Sequence, residues 1–211
     1  MMNIKVLIAE DHMIVRSGLK LILDNHFSTA SISEVDNLQD LLNHVREHES
    51  DLLILDVFLT DGNSVPLLNV IKSHQPKLNV LYFTMLPETI YGKRLISMGA
   101  SGFLNKQSRG EEIIAAIREV LEGKIYLSKS LSRKIAEESL MKEPLNPFEQ
   151  LSHREFEIML LMLEGKQMKE IAADIGVQVT TVATYKTRLF EKLNIPSLLE
   201  LSKLATAYNV I

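Results

Sequence analysis

Short apolar runs alternate with segments of helical periodicity over residues 1–122. Runs of Val, Ile and Leu that are too short for an ordinary helix are typical of strands buried on both faces of a parallel sheet. The predicted strands are 4–9, 31–35, 51–56, 79–84 and 102–105, and the predicted helices are 12–24, 38–47, 64–74, 88–98 and 109–122. Five such units predict an α/β, doubly wound parallel five-stranded sheet with helices on both sides.

The central apolar run, DLLILD, ends at the carboxylate of Asp56. Open α/β sheets bind ligands at the carboxyl ends of their strands, so this position favours a functional role. A lone Asp in a βα turn is more often a helix cap, and that alternative stays open for Asp56 alone. Three other predicted strands, however, also end in polar side chains. These side chains are Glu10, Asp11, Thr84 and Lys106.

Two local patterns mark predicted helix starts in this segment. Pro66 lies near the start of the third helix, where its missing N–H costs nothing. Ser108 followed by Glu111 is a capping-box pattern and is expected to open the fifth helix.

Glu10, Asp11 and Asp56 are expected to converge at one edge of the sheet, where close carboxylates repel one another unless a cation is bound. Oxygen ligands with open positions suit Mg²⁺, which keeps several of its waters. Lys106 adds a positive charge and Thr84 adds a hydroxyl group. A carboxylate nucleophile, Mg²⁺ and a lysine together predict phosphoryl transfer to Asp56, which would form an aspartyl phosphate.

With these motifs, residues 1–122 resemble a CheY-like, flavodoxin-like receiver domain of two-component signalling. The resemblance implies that Asp56 is the phosphoacceptor. It also implies that Asp11 and Asp56 bind Mg²⁺ directly, together with the backbone carbonyl of Phe58. Glu10 would then act through a metal-bound water.

The resemblance also implies roles around the phosphoryl group. Thr84 would donate a hydrogen bond to it and Lys106 would pair with it. Phe103 occupies the aromatic switch position of the family, although a strand core residue is the simpler interpretation. The chain departs from the family at Leu59–Thr60, where Met-Pro is frequent, and at Gln107, where Pro is frequent.

Length and composition allow two modest domains or one large one in 211 residues, with 46% hydrophobic and 24% charged residues. No apolar run approaches the roughly 18 residues needed to span a membrane. The chain has no cysteine, which excludes disulfides and thiolate metal sites and favours a cytoplasmic protein. The net charge of −4 argues against a nucleic-acid surface over the whole protein, but it permits a local one.

Residues 123–149 are interpreted as a linker with one amphipathic helix at 129–141. A stretch of four residues contains both Pro144 and Pro147, which favours a domain boundary nearby. A loop packed on one domain is the alternative. The predicted domains are 1–122, a phosphoacceptor domain, and 150–211, a small all-α helix-turn-helix domain.

Four helices are predicted after residue 150. The first has a capping box formed by Ser152 and Glu155 and a stop at Gly165. A helix, a turn at Gly176 and a further helix at this spacing are typical of a helix-turn-helix. The residues expected to face inward are Phe156, Leu160, Leu163, Ala172, Ala173, Val182, Leu189 and Leu193.

The third of these helices carries a local positive charge: from 180 to 193 the three cations and one anion give 3 − 1 = +2. A solvated helix face is the alternative, but turn, periodicity and charge together favour binding to double-stranded DNA. Thr184 and Lys186 are the candidates for base edges and Lys192 for a phosphate. The full set of candidate DNA-binding residues is Thr184, Lys186, Thr187, Arg188 and Lys192.

Residues 151–193 are similar to a LuxR-type helix-turn-helix. The matching residues are Glu155, Gly165, Ile171, Ala172, Val182 and Leu193. Ala183 and Tyr185 depart from the Lys and His that are frequent in the family, so the contacts there are expected to differ. Gln178 replaces the usual Ser or Thr before the third helix, which predicts a weaker cap.

The fourth helix has more apolar surface than a small core is expected to cover. Leu198, Leu201, Ala205 and Tyr208 recur at helical spacing, and exposed apolar patches often mark interfaces. Internal packing is the alternative. The resemblance favours pairing of two copies through this helix, so Leu201→Glu is expected to leave the domain folded and to weaken pairing.

Together these features predict a DNA-binding transcriptional regulator that a sensor histidine kinase controls by phosphorylating Asp56. The expected partners are that kinase, double-stranded DNA and a second copy of the chain, with Mg²⁺ as cofactor and no membrane. A phosphotransferase or hydrolase would need a second general base, which the sequence does not offer, so the chain is not predicted to be an enzyme. A receiver that is not phosphorylated and binds DNA or protein constitutively stays an alternative.

Overall fold

The computed structural model describes residues 4–140, 146–208 and 210. The chain forms two compact units, Met1–Arg133 and Lys134–Ile211. The strands of the first unit are β1 (Ile4–Ala9), β2 (Ala30–Val35), β3 (Leu52–Leu55), β4 (Phe58–Leu59), β5 (Gly62–Asn63), β6 (Asn79–Thr84) and β7 (Gly102–Asn105). Its helices are α1 (Met13–His26), α2 (Leu38–Glu47), α3 (Leu68–His74), α4 (Glu88–Ser97) and α5 (Gly110–Leu121), and α6 (Lys129–Leu140) crosses into the second unit.

Five strands form one parallel sheet in the order β2-β1-β3-β6-β7, which confirms the predicted doubly wound sheet. Successive strand residues point to opposite faces, and both faces of β3 are buried because all four of its residues are apolar. One face packs Ile8 and Ile54 against Leu23 of α1 and Ile117 of α5. The order of the strands reverses between β1 and β3, which is where such sheets bind ligands.

Two details of the first unit differ from the sequence prediction. The third helix begins as a 3₁₀ helix, Val65–Leu67, with Pro66 in its first turn, and only then becomes α3. The predicted capping box of Ser108 and Glu111 is wrong: Arg109 precedes α5, and its side chain makes no cap. The backbone N–H of Ser108 instead donates to Asn105, closing a turn after β7.

The second unit is helical, with α7 (His153–Leu163), α8 (Met168–Asp174), α9 (Val179–Leu193) and α10 (Leu198–Ala207). The capping box of Ser152 and Glu155 is present, and Gly165 and Gly176 adopt positive φ after α7 and α8. As predicted, Gln178 precedes α9 without a side-chain cap. The predicted all-α helix-turn-helix domain is confirmed.

The apolar face of α7 differs from the prediction. Met159 and Met162 are buried, whereas Leu160 and Leu163 are only partly covered. The face is rotated because α7 packs against α9 and α10 as well as α8. Ala172 is buried as expected, but Ala173 is exposed. The buried residues of α9 are Val182, Leu189 and Leu193, as predicted.

The buried residues of α10, the fourth helix of this unit, differ from the prediction of an exposed pairing face. Leu201 and Ala205 are fully buried because they close the core. The expectation that Leu201→Glu leaves the domain folded is therefore wrong. Of the predicted face Leu198 is exposed, and its neighbour Leu199 is exposed by 65%. The apolar surface available to a partner is thus shifted from the predicted face toward Leu199, by about a quarter of a turn.

The segment between α5 and α7 is partly packed. Tyr126 and Leu131 are buried in the first unit. A 3₁₀ helix, Pro147–Gln150, begins at the second of the predicted linker prolines and buries Phe148 in the second unit. Pro144 and the predicted end of the helix at residue 141 lie outside the described residues. Within the described ranges, no helix is long and apolar enough to cross a membrane.

Candidate functional site

An acidic cluster lies at the switch point of the sheet. Glu10 and Asp11 follow β1, and Asp56 follows the neighbouring strand β3. Side-chain ligand atoms of Glu10, Asp11, His12 and Asp56 all lie within 4.8 Å of one another. The structure thus brings the adjacent Glu10 and Asp11 together with Asp56 from a distant part of the sequence, because parallel neighbours end at the same edge.

Lys106 reaches this cluster from the end of β7. Its Nζ lies 2.6 Å from Asp56 Oδ2 and 2.7 Å from Glu10 Oε2. Burial disfavours the ammonium, but hydrogen bonds and charge from Asp56 and Glu10 outweigh burial and raise the pKa of Lys106. Lys106 therefore stays charged at neutral pH, and three carboxylates against one ammonium leave a net negative charge in the cluster.

Thr84 and Phe58 lie on elements next to the cluster. Thr84 is buried at the end of β6, next to β3, and its carbonyl accepts a hydrogen bond from the Lys106 backbone N–H at 2.9 Å. Phe58 lies two residues after Asp56, in the first strand of the short β4–β5 hairpin. Phe103 in β7 is fully buried among core residues.

His12 also lies at the cluster, although its role was not predicted from the sequence. Its Nδ1 lies 2.7 Å from Asp11 Oδ1 and 3.0 Å from Glu10 Oε1, and its ring is largely exposed. A single histidine carries no periodic signal, and only its position directly after Asp11 could have marked it. Ser64 is buried beside the end of β3. It was not predicted either, because a single serine carries no periodic signal.

The candidate DNA-binding residues lie on α9 and differ in their exposure and in their partners. Thr184, Thr187 and Arg188 are exposed. The hydroxyls of Thr184 and Thr187 donate to helix carbonyls four residues earlier, at 3.0 and 3.1 Å. Lys186 is partly covered because its Nζ lies 5.5 Å from the centre of the Phe190 ring.

Lys192 is placed differently, since its Nζ lies 2.6 Å from Oε2 of the buried Glu155. Burial opposes ionisation of Glu155, but hydrogen bonds from Lys192 and Ser152 outweigh burial and lower the pKa of this carboxyl. Lys192 thus joins the end of α9 to the start of α7. Helical spacing could not reveal this pair, because its two residues are 37 positions apart.

Lys192→Ala is expected to lower the free energy of unfolding by about 2 kcal/mol at neutral pH, because a buried carboxylate loses a charged donor. Since the pKa of Glu155 is lowered in the folded protein, its contribution is present above its unfolded pKa and is lost as pH falls through the folded value. The difference between variant and wild type is therefore expected to shrink in acid. Urea unfolding followed by circular dichroism at neutral and acidic pH measures both effects.

The matched control is Lys203→Ala, which removes a lysine paired with Glu200 at 2.9 Å on the surface of α10. Exposed pairs contribute about 0–1 kcal/mol, so this variant should unfold close to wild type. Equal stability of the two variants would contradict a structural role for Lys192.

Two family models match this chain. The one described as "Response regulator receiver domain" matches residues 6–118. The one described as "Bacterial regulatory proteins, luxR family" matches residues 149–205. The first match alone spans more than half of the 211 residues and includes the acidic cluster and Lys106.

Two similar proteins match nearly the whole length of this chain. Over 209 residues the chain is 31% identical to the response regulator GacA of Pseudomonas aeruginosa, which covers 99% of this chain and 98% of GacA. It is 32% identical to the oxygen regulatory protein NreC of Staphylococcus epidermidis, with 95% of this chain and 96% of NreC covered.

A solved structure agrees with the fold of the chain. RcsB from Salmonella enterica serovar Typhimurium, bound to promoter rprA in the presence of phosphomimetic BeF3⁻, has a TM-score of 0.79 at 23% identity and covers 97% of this chain and 99% of the RcsB chain. On the two family models and the GacA and NreC matches, the chain belongs to the response regulators of two-component signal transduction that join a receiver domain to a LuxR-type helix-turn-helix DNA-binding domain.

Proposed function

We propose that this chain regulates transcription by binding DNA under the control of a sensor histidine kinase, which phosphorylates Asp56. The observation that carries the proposal is the buried ammonium of Lys106, which lies between Asp56 and Glu10. A phosphoryl group on Asp56 brings negatively charged oxygens to this position. A cation that is already held there stabilises these oxygens without further rearrangement. Thr84, at the end of the next strand, supplies a hydroxyl donor to the same oxygens.

The acidic residues fit a divalent cation. Three carboxylates and one ammonium leave two negative charges in excess, 3 − 1, and carboxylate oxygens are the ligands that Mg²⁺ prefers. Asp11 and Asp56 would hold Mg²⁺ directly with the Phe58 carbonyl, and Glu10 would hold it through water. Bound Mg²⁺ would supply positive charge to the oxygens of the transferring group.

Asp11→Ala is expected to raise the Mg²⁺ concentration for half-maximal phosphorylation by at least about tenfold, because one of two direct carboxylate ligands is lost. Incubation with acetyl phosphate over a Mg²⁺ series, followed by intact mass, measures this concentration. Asp24→Ala, which removes an exposed carboxylate from α1, is the control and should respond like wild type. Full phosphorylation of Asp11→Ala in EDTA would contradict the metal site.

The second unit is proposed to bind double-stranded DNA with α9 in the major groove. Thr184 and Lys186 are the proposed contacts to base edges, with Thr187 and Arg188 beside the phosphates. Lys192 would contact a phosphate while its Nζ stays paired with the Glu155 carboxylate. The proposal is supported by the luxR-family match and by the exposed hydroxyls and cation of this helix.

Two copies are proposed to bind one site of approximate two-fold symmetry. The exposed Leu198 and Leu199 of α10 offer an apolar surface for pairing. Functionally, the proposed division of the chain is a receiver at 1–122, a linker at 123–149 and a DNA-binding domain at 150–211.

The test uses the full chain with acetyl phosphate and Mg²⁺. A mass gain of one phosphoryl group, together with stronger recovery of specific genomic fragments by the phosphorylated protein, is the expected result. Fragment recovery that is the same with and without phosphodonor would instead indicate a constitutive DNA-binding protein. No mass gain and no recovered fragments would overturn the proposal.

A further inference from the structure

We propose that Ser64 is a positioning residue for phosphorylation, because its hydroxyl holds the peptide group that in turn orients the Asp56 carboxylate. The inference rests on the proposed function, since it concerns the chemistry of Asp56. Ser64 directly follows the short hairpin β4–β5, yet it is fully buried. A buried hydroxyl needs a hydrogen-bond partner, and the Ser64 hydroxyl donates to the backbone carbonyl of the phosphoacceptor.

Ser64 makes two hydrogen bonds to the chain that leaves β3. Its Oγ donates to the carbonyl of Asp56 at 2.7 Å. Its backbone N–H donates to the carbonyl of Val57 at 2.8 Å. One residue therefore fixes two successive peptide groups, and the second of them leads directly into Phe58.

The peptide group between Asp56 and Val57 connects Ser64 to the carboxylate. Its carbonyl accepts from Ser64, and its N–H donates to Oδ1 of Asp56 at 2.7 Å. Because the peptide group is planar and rigid, fixing the direction of the carbonyl also fixes the direction of the N–H. Hydrogen bonds at the two ends of one amide also strengthen each other.

Each carboxylate oxygen of Asp56 is therefore oriented by a different hydrogen-bond donor. Oδ2 lies 2.6 Å from the ammonium of Lys106. Oδ1 is held by the Val57 N–H, and Ser64 sets the direction of that N–H. Without the Ser64 hydroxyl, the peptide can rotate about its flanking bonds, and Oδ1 loses its fixed donor.

The hairpin that places Ser64 is also anchored at its turn. The carboxylate of Asp61 accepts the backbone N–H groups of Leu38 and Gln39 at the start of α2, at 2.6 and 3.2 Å. Thr60 Oγ1 donates to the carbonyl of Asp36 at 3.1 Å. The position of Ser64 is thus set from the start of α2 as well as from β3, which makes it a fixed support.

The experiment compares Mg²⁺ binding and phosphorylation in Ser64→Ala, Ser64→Thr and wild type. Amide chemical shifts of Val57 and Phe58 during a Mg²⁺ titration report binding without any phosphodonor. Intact mass after addition of acetyl phosphate reports the rate of phosphorylation. Groups that orient metal ligands change affinity by about 10–100-fold when removed, so Ser64→Ala is expected to weaken Mg²⁺ binding about tenfold and to slow phosphorylation.

Ser64→Thr keeps a hydroxyl on Cβ and is expected to restore most of both properties. Ser73→Ala is the matched control, because Ser73 is an exposed serine of α3 whose Oγ donates to a helix carbonyl at 2.7 Å. Ser64→Cys replaces Ser64→Ala if urea unfolding shows that the alanine variant is not folded, since a thiol fills the buried site but is only a weak hydrogen-bond donor.

Wild-type Mg²⁺ affinity and rate in the folded variant without the hydroxyl would overturn the inference. An equal loss in Ser64→Thr would also overturn it, because packing rather than the hydroxyl would then be responsible. Failure of the proposed function looks different: the wild-type chain itself would then gain no phosphoryl group.

Discussion

Asp56→Asn is expected to abolish phosphorylation by acetyl phosphate in the presence of Mg²⁺. An amide is not nucleophilic at its oxygen as a carboxylate is, and it also removes one negative charge from the cation site. The substitution is nearly isosteric, so the buried position next to Lys106 stays filled. Intact mass after incubation with the phosphodonor measures the result, and the expected gain is zero.

Asp24→Asn is the matched control for this experiment. It makes the same carboxylate-to-amide change at an exposed residue of α1 that lies outside the acidic cluster. This variant is expected to gain one phosphoryl group like wild type. Full phosphorylation of Asp56→Asn would assign the acceptor to another residue and would remove the basis for the proposed control of DNA binding.

Leu201→Glu is expected to unfold the second unit. Leu201 is fully buried in α10, so the substitution removes a core side chain and places a carboxylate in an apolar environment. The combined loss is at least about 4 kcal/mol, which is comparable with the whole stability of a small domain. Loss of the helical circular dichroism signal, or of the cooperative urea transition of this unit, measures it.

Leu199→Glu makes the same chemical change two residues earlier, at a side chain that is 65% exposed. It is expected to change stability by no more than about 0.5 kcal/mol. Because Leu199 belongs to the proposed pairing surface, the folded variant should bind an operator as one copy, as sedimentation with labelled DNA would show. Two-copy binding by this variant would place the pairing surface elsewhere.

The periodicity of the sequence determined the order and type of the main elements. The predicted ranges 38–47, 79–84 and 102–105 coincide with α2, β6 and β7. Alternation of buried runs with helical segments is a local property of the chain, and a parallel sheet is the arrangement that covers every one of those runs. The sequence did not determine every element end, as Ser108 shows, because a cap depends on which backbone groups a neighbouring turn already uses.

The acidic cluster was also predictable. Glu10, Asp11 and Lys106 each follow a predicted strand and Asp56 ends one, and the carboxyl ends of parallel strands meet at one edge of a sheet. What the sequence could not supply was the adjacency of β1 and β3, and with it the 2.6 Å contact between Lys106 and Asp56. Strand order depends on the packing of helices over both faces, which is a property of the whole unit.

Only the tertiary structure decided which helix faces are covered and which polar side chains have partners. Helical spacing places Leu198, Leu201 and Ala205 together, but the position of α7 determines that the last two are buried and the first is exposed. Lys192 resembles other cations of α9 until Glu155 is found 2.6 Å away. The sequence by itself therefore determined the elements, the chemistry available at the sheet edge and the helix-turn-helix, because these follow from local periodicity and strand ends. The partners of Lys192 and Leu201 come from distant parts of the chain, and only packing brings them together.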